Sequence, residues 1–447
     1  MNMSILRSMR RMALLVLLSL SAHAEQIYTI SNTVYGSQLT ISAAKTRYAG
    51  AIYSLVWNGK QFINSSDHGR ELQSALFLDG YGECLAPTEA GSVRDGTGSS
   101  STSSLLGASF SPHELQTTSQ MAYWLPASWP YPAGCADGSM AQYVAQNITD
   151  VSTTRLSKKV RVGVYDQNVI QYLVSYHLAE SHISAAFEAL TGYMPHEFSS
   201  FWSYDPQFDA LSAISTTPSQ SEAPWLVWPS YVGSTPVILS TPDQNYAMGI
   251  YVPSYSQPGS TGYYATYSYP AVPSGPNKWS VPFSQSSTIP GDYSFAGYVI
   301  VGNLNLVKRG MRTVHRALNV PAGQVNVFRF RSNNKHFLTL NAFEPLDLGY
   351  VSEGIGFRVF SSYASGTTAI YRCWSYYGGH FVSTDSQCEG TSNEGAYGYV
   401  KMSQQSGTTA LYRFYHATIG DHLTTTDYQE GVANGYVLEG VLGYVPL

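Results

Sequence analysis

The chain has 447 residues and a formal net charge of −5, with 12% charged residues against about 25% in an average soluble protein. Aromatic residues reach 13%, and 35 of them are Tyr. This balance excludes the basic face of a nucleic-acid binder and describes a surface of hydroxyls and rings. Such a surface suits extracellular glycans, although any strand- and turn-rich secreted protein collects the same residues.

Met1–Arg11 carries three Arg and no acid, Met12–Leu20 is apolar, and Ala22-His23-Ala24 has the small-x-small form of a cleavage site. Residues 1–24 therefore read as a secretory signal peptide, and its removal takes the net charge from −5 to −8. No later run of about 20 apolar residues offers a membrane span. Cys84, Cys135, Cys373 and Cys388 lie beyond the peptide, and an even cysteine count in a secreted chain predicts disulfides. Pairing Cys84 with Cys135 and Cys373 with Cys388 needs no link between domains. The absence of Cys-x-x-Cys argues against thiolate zinc sites and redox chemistry.

After Glu25 the chain runs in short alternating segments, with Gln26–Ile30 and Gln38–Ile41 as strands. Ala51–Trp57, Asn58-Gly59 and Lys60–Ile63 make a hairpin, because Asn-Gly is the dipeptide most favoured in a type I′ turn. The Ser/Gly/Thr-rich stretch from Thr88 to Ser104 reads as a loop. Trp124–Cys135, with Trp129 and three Pro, is a rigid aromatic loop that lines a cleft or packs on a sheet. Two further hairpins turn at Asp166–Asn168 and Asp243–Asn245, and Ser254–Pro276 reads as a long surface loop. Leu304, Val307, Met311, Val314 and Leu318 recur at spacings of three and four, which predicts a helix. Val320-Pro321-Ala322-Gly323 then closes a first domain, residues 25–320, expected to be a large β-sandwich.

Chemistry on glycans needs two carboxylates for hydrolysis, or a cation and a Tyr or His base for elimination. Arg70, Glu71, Gln73, Glu83 and Glu89 cluster just after the first hairpin, with Glu89 in a small-residue turn that suggests open access. His113, His177, His196 and Glu197 extend the catalytic candidates. Trp124, Trp129, Tyr193 and Trp202 are candidate sugar platforms. Each has a plain alternative as a packing or structural residue. No Gly-x-Ser-x-Gly, phosphate loop, His-Glu-x-x-His or EF-hand pattern occurs. No metal site or cofactor is expected, while calcium held by loop carbonyls would leave no readable motif.

The last stretch is a three-fold repeat. Its copies read Val327-Phe328-Arg329-Phe330, His336-Phe337-Leu338-Thr339 and Glu353-Gly354; Ile370-Tyr371-Arg372-Cys373-Trp374, His380-Phe381-Val382-Ser383 and Glu394-Gly395; and Leu411-Tyr412-Arg413-Phe414, Gly420-Asp421-His422 and Glu439-Gly440. A recurrence of about 40 residues marks units that must stack on one another. Alternating aromatic and polar residues broken by Gly make each unit β. Three blades are too few for a propeller, so a closed three-repeat unit over residues 325–447, of β-trefoil type, is expected. The recurring Arg, His and Glu, among them His380, His422 and Glu439, either form equivalent glycan pockets or tie the units together.

These copies resemble a repeat of secreted bacterial proteins described as a domain of unknown function. The resemblance implies an extracellular accessory module and does not imply a reaction. The opening from Gly50 to Arg70 resembles the start of galactose-mutarotase-like β-supersandwich domains, which implies sugar bound on a concave sheet face. The chain is thus expected to be a secreted, all-β, carbohydrate-active protein, a polysaccharide hydrolase or lyase with a C-terminal glycan-binding or anchoring module. Its expected partner is a polysaccharide or cell-surface glycan, with no nucleic acid and no membrane span. A non-catalytic lectin or adhesin and an extracellular protein-interaction module remain as alternatives.

Overall fold

The structure, a computed structural model, describes residues 25–132, 134–135, 143–215, 231–253, 261–269, 275–376 and 378–447. The expected signal peptide and part of the expected loop at 254–276 lie outside these residues. Among the described residues two antiparallel sheets dominate, one of 20 strands and one of nine.

The larger sheet folds into two layers. One runs Ser104–Phe110, Glu114–Tyr123, Val151–Val162, Val169–Leu178, Gly291–Gly302, Ala247–Tyr251 and Val237–Ser240 in spatial order. The other runs Ile27–Val34, Ser37–Ala44, Ile52–Trp57, Leu72–Leu78, Ala185–Met194 and Asn277–Gln285. The short strand Pro87–Thr88 pairs with both and joins them. Alternate residues of facing strands fill the space between the layers, as the two-residue period of a strand requires. Tyr172, Val174 and Tyr176 meet Leu72, Leu76 and Phe187 there, and the Tyr176 hydroxyl sits 2.9 Å from both the Ala75 and Glu188 carbonyls of the opposite layer.

The Asn58-Gly59 turn is as expected, with both residues at positive φ, 49° and 75°. The expected loop at 254–276 is partly strand. Tyr264–Ser268 pairs with Asn277–Gln285, since its two Tyr and one Thr favour a strand over the loop that the Ser and Pro around it suggest. The Thr88–Ser104 stretch is a loop, but a well-bonded one. Asp95 accepts from the Ser92 and Thr102 backbones at 2.6 and 2.9 Å, which lets Ser92 and Ser103 sit buried.

The helix Leu304–Leu318 is capped by the Asn303 side chain, which accepts from the Leu306 N–H. It lays Leu304, Val307, Met311 and Val314 on Ile238, Tyr251, Tyr298 and Ile300 of the first layer. Each such burial stabilises by about 1.5–3 kcal/mol, so the helix is fixed by packing rather than by propensity.

Each repeat supplies three strands: Gln324–Ser332, Lys335–Thr339 and Val351–Phe360; Thr367–Ser375, Gly379–Ser383 and Ser392–Lys401; Thr408–His416, Asp421–Thr425 and Val437–Pro446. Their inner residues, among them Val327, Leu338, Ile370, Val382, Leu411 and Val445, share one core. The pairings define three three-stranded units about that core and do not single out a trefoil among closed three-fold arrangements. The first repeat docks on the sandwich, where Phe328, Phe337 and Leu346 cluster with Val164 and Tyr165. Among the described residues no helix is long and apolar enough to cross a membrane.

Candidate functional site

The outer face of the second layer carries a cleft of about 80 Å³. Along Leu72–Leu78, Leu72, Leu76 and Leu78 point into the sandwich, so Gln73, Ala75 and Phe77 point out and line the cleft. Glu188 comes from the adjacent strand at a bulge where Ala189 has no partner on either side; such bulges re-aim a side chain. Lys278 projects from the next strand, and Tyr193, Trp124 and Glu83 close the walls.

Lys278 Nζ lies 2.9 Å from Glu188 Oε1 and 4.8 and 5.2 Å from the ring centroids of Tyr193 and Tyr267. Ser280 Oγ donates to the same Glu188 oxygen. Burial works against the ammonium charge, but Glu188 and the phenols of Tyr193, Tyr269 and Tyr267 outweigh it and hold the Lys278 pKa well above its ordinary value. Burial raises the Glu83 carboxyl above the usual carboxylate range; Lys278 opposes this, Glu188 adds to it, and a Trp124 hydrogen bond opposes it. Burial also pushes the Tyr193 and Tyr267 phenols up to about 12. The cleft therefore holds a carboxyl group whose protonated form is favoured by burial, a carboxylate paired with a buried lysine, and phenols whose neutral form burial favours.

The backbone of the Asp67–Arg70 loop rests on the Trp124 indole, and a Cβ on Gly69 would fall 2.6 Å from its Cζ3 at a φ of +97°. Only glycine fits there. Beneath this loop Glu71 is buried and accepts from the Gly69 N–H at 2.8 Å. Burial pushes its carboxyl up to about 8. The Cys84–Cys135 disulfide anchors the short turn Gly82–Leu85 that presents Glu83.

Of the residues expected to form a site, the cleft gathers Gln73, Glu83, Trp124 and Tyr193, with Arg70 beside Gly69 and paired to Asp67 at 3.0 Å. The others lie elsewhere. Glu89 is the clearest correction: it is fully buried, held by Lys158 Nζ and by the Ser74 N–H at 3.1 Å. The open access expected of its small-residue turn is closed by the layer packed over it. Lys158 also donates to the Gly50 carbonyl at 2.8 Å.

His177 is exposed on the other layer, 2.8 Å from Asp292. His113 occupies the turn before Glu114, and its carbonyl accepts from the Val162 N–H at 3.0 Å. His196 and Glu197 are exposed on a loop, the latter 2.7 Å from Lys60. The Trp202 indole donates to Ser240 Oγ at 3.0 Å, and Trp129 lies under the Arg94 guanidinium at 5.7 Å. Glu188 and Lys278 were missed. Each is the lone charge of its strand, which is itself a signal, since a buried charge needs a partner.

In the repeats, each recurring Arg clasps two carboxylates. Arg329 holds Glu353 at 2.7 Å and Glu430 at 2.6 Å. Arg372 holds Glu394 and Glu344, both at 3.0 Å, and Arg413 holds Glu439 at 2.8 Å and Glu389 at 2.6 Å. The first partner belongs to the same repeat and the second to another, in cyclic order. His380 and His422 lie 3.2 and 3.6 Å from Glu394 and Glu439. His336 is bound at 2.6 Å by Asp421 of the third repeat. Burial lowers the His380 pKa despite Glu394. Cys373 and Cys388 form the second disulfide. Among the described residues no group of three or more His, Cys, Asp or Glu is placed to hold a metal ion.

Residues 303–392 and 386–446 match the family model described as Domain of unknown function (DUF5648). The C-terminal part is a DUF5648 domain. The match begins at Asn303, the cap of the helix, so the DUF5648 segment takes in that helix together with the three repeats. No curated protein matches the chain. Among solved structures, it is similar to a GalM/aldose epimerase homologue from C. elegans, at 10% identity over 63% of this chain and 100% of that one, with a TM-score of 0.31. It is also similar to a putative aldose 1-epimerase from Klebsiella pneumoniae, at 8% identity over 67% and 89%, TM-score 0.32. A third is the heparan sulfate lyase HepC from Pedobacter heparinus, at 8% over 62% of this chain and 35% of the lyase, TM-score 0.29. The epimerases are of the kind that the Gly50–Arg70 stretch resembles. TM-scores of this size carry no argument about activity.

Proposed function

We propose that the protein is a secreted, carbohydrate-active enzyme that hydrolyses a polysaccharide in the cleft of its N-terminal sandwich, with the DUF5648 domain holding it to a glycan. The observation that carries this reading is the pair Glu83 and Glu188 in one aromatic-walled cleft, with environments that set them apart. Glu83 is raised by burial, whereas Glu188 is neutralised by Lys278. Two carboxyl groups in one cleft, one raised by burial and one paired with a lysine, are the arrangement from which a glycosidase draws its acid and its charge-stabilising carboxylate. In this reading Glu83 donates a proton to the leaving oxygen. Glu188 with Lys278 holds the charge opposite, and Trp124 and Tyr193 supply ring faces for the sugar.

Hydrolysis is favoured over elimination for two reasons. A lyase base would have to be a phenol, yet Tyr193 and Tyr267 are pushed up to about 12. The lysine that would receive a uronate carboxylate is already occupied by Glu188. The two disulfides suit an oxidising compartment.

The test is incubation of residues 25–447 with a polysaccharide panel, reading new reducing ends and the ultraviolet absorbance of unsaturated uronates. Reducing ends without the absorbance are expected. Glu83→Gln lowers turnover by about 100-fold or more, the usual share of a general acid, and leaves the melting temperature unchanged. Wild-type activity falls as pH rises through the elevated Glu83 pKa. Turnover in Glu83→Gln equal to wild type would remove this assignment.

A further inference from the structure

The three repeats carry the same seat, and among the described residues the sandwich fills the first alone. Phe328 stands opposite Ile355 in the first, Tyr371 opposite Ala396 in the second, and Tyr412 opposite Val441 in the third. On the first, the Tyr165 ring of the sandwich lies stacked over Phe328, with centroids 5.5 Å apart and planes at 26°. A Cβ placed on Gly354 would come within 3.4 Å of the Tyr165 carbonyl oxygen and 3.6 Å of Thr313 Cγ2. On the equivalent Gly395 and Gly440 it would meet nothing within 4 Å.

The residue types follow this difference. The covered seat has Phe, 6% exposed, because a phenol there would bury a hydroxyl beside an aromatic ring. The two open seats have half-buried Tyr. Each Tyr is held from below, so its ring is presented and not free to turn away. Tyr371 packs on Phe381 and the Cys373–Cys388 disulfide. Tyr412 packs on Phe414 and meets Tyr428 edge-on, with centroids 5.4 Å apart at 72°. Tyr428 and Val441 are 41% and 49% exposed beside it.

We infer that Tyr371 and Tyr412 are two sugar-ring platforms of the DUF5648 domain, at the positions where the first repeat has surrendered the same seat to the sandwich. The choice of a sugar rests on the glycan reading above; the seat's preference for a flat face does not, since the first repeat displays it with Tyr165. A pyranose offers a flat C–H face to the ring and hydroxyls to the phenol edge. A second copy of this chain is a poor occupant, because its own Tyr165 already covers its own Phe328. Two platforms on one rigid unit bind a polymer together, so loss of either costs avidity as well as contact.

The test uses residues 25–447 and three insoluble probes: chitin, microcrystalline cellulose and purified peptidoglycan. Wild type, Tyr371→Ala, Tyr412→Ala, the double variant and Glu83→Gln are compared by depletion from solution, with melting temperature and sedimentation velocity for each. Wild type and Glu83→Gln are expected to be retained alike on at least one probe. Each single Tyr variant should bind about tenfold more weakly, and the double variant should pass through, all with unchanged melting. Retention of the folded double variant at the wild-type level overturns the inference, as does failure of wild type to bind any probe. A change from dimer to monomer in the double variant also overturns it, in favour of a protein partner. Turnover by the double variant on soluble substrate is a separate reading, so failure of the cleft and failure of the platforms are told apart.

Discussion

Lys158→Met is the perturbation that tests the sandwich most directly. Lys158 and Glu89 are both fully buried, and their ion pair spans the layers: the lysine rises from Val151–Val162, and the carboxylate accepts from Ser74 on Leu72–Leu78. Removing one member of such a pair leaves an uncompensated charge in the interior, at a cost of about 3–5 kcal/mol. The same change strips the Gly50 carbonyl of its Lys158 hydrogen bond. For a domain of this size about 1 kcal/mol moves the melting temperature by about 2–4 °C, so a fall of about 6–20 °C is expected. Adding Glu89→Gln keeps an acceptor for the Ser74 N–H and removes the stranded charge. The double variant should therefore be more stable than Lys158→Met alone, with a coupling energy of at least about 2 kcal/mol. The assay is urea unfolding of the four proteins of this cycle, followed by intrinsic fluorescence. Additive effects, or a cost below about 1 kcal/mol for Lys158→Met, would mean that water reaches the pair and that the reasoning from burial is wrong. Glu89→Gln alone should lower stability rather than remove activity by direct loss of a catalytic group.

Stability should also depend on pH through Glu71. Burial pushes its folded-state pKa up to about 8, above its ordinary value of 4.5, so its contribution is full below about 4.5 and is lost as pH rises through about 8, by up to about 5 kcal/mol. Melting temperatures from pH 5 to 9 should fall in wild type, with a smaller fall in Glu71→Gln; an identical profile in the variant refutes the assignment. Replacing Cys373 and Cys388 by Ser opens a short loop, with a sequence separation of 15, and should cost about 3 kcal/mol. The floor under Tyr371 would loosen with it, which a protease digest of native protein should show as new cleavage in the second repeat.

What the sequence disclosed is what lies close along the chain. The Asn58-Gly59 hairpin, the helix from Leu304 and the repeats were legible because a turn dipeptide, a 3.6-residue period and a recurring Arg each act over short spans. The cleft was not. Glu83, Glu188 and Lys278 come from elements far apart in the chain, and their meeting depends on which strands pair and on one bulge at Ala189. Glu89 misled for the same reason: its local sequence looks open, and the residue that buries it, Lys158, is 69 positions away. In the repeats the Arg and their own Glu could be aligned. The second carboxylates, Glu344, Glu389 and Glu430, sit in connecting segments of differing sequence, Glu430 on the short helix Tyr428–Ala433, so no common spelling marks them.

The cyclic clasp of the repeats has a consequence for synthesis. Stacked repeat arrays grow by adding units and need special ends, but here the second and third repeats each reach back to an earlier carboxylate, while Arg329 of the first waits for Glu430 of the last. The first Arg emerges with only Glu353 near it in the chain, and its second partner arrives after 100 further residues. The ring therefore has no end to fray and no partial form in which every clasp is complete. A chain cut anywhere before Glu430 leaves Arg329 with Glu353 alone and the first clasp half made.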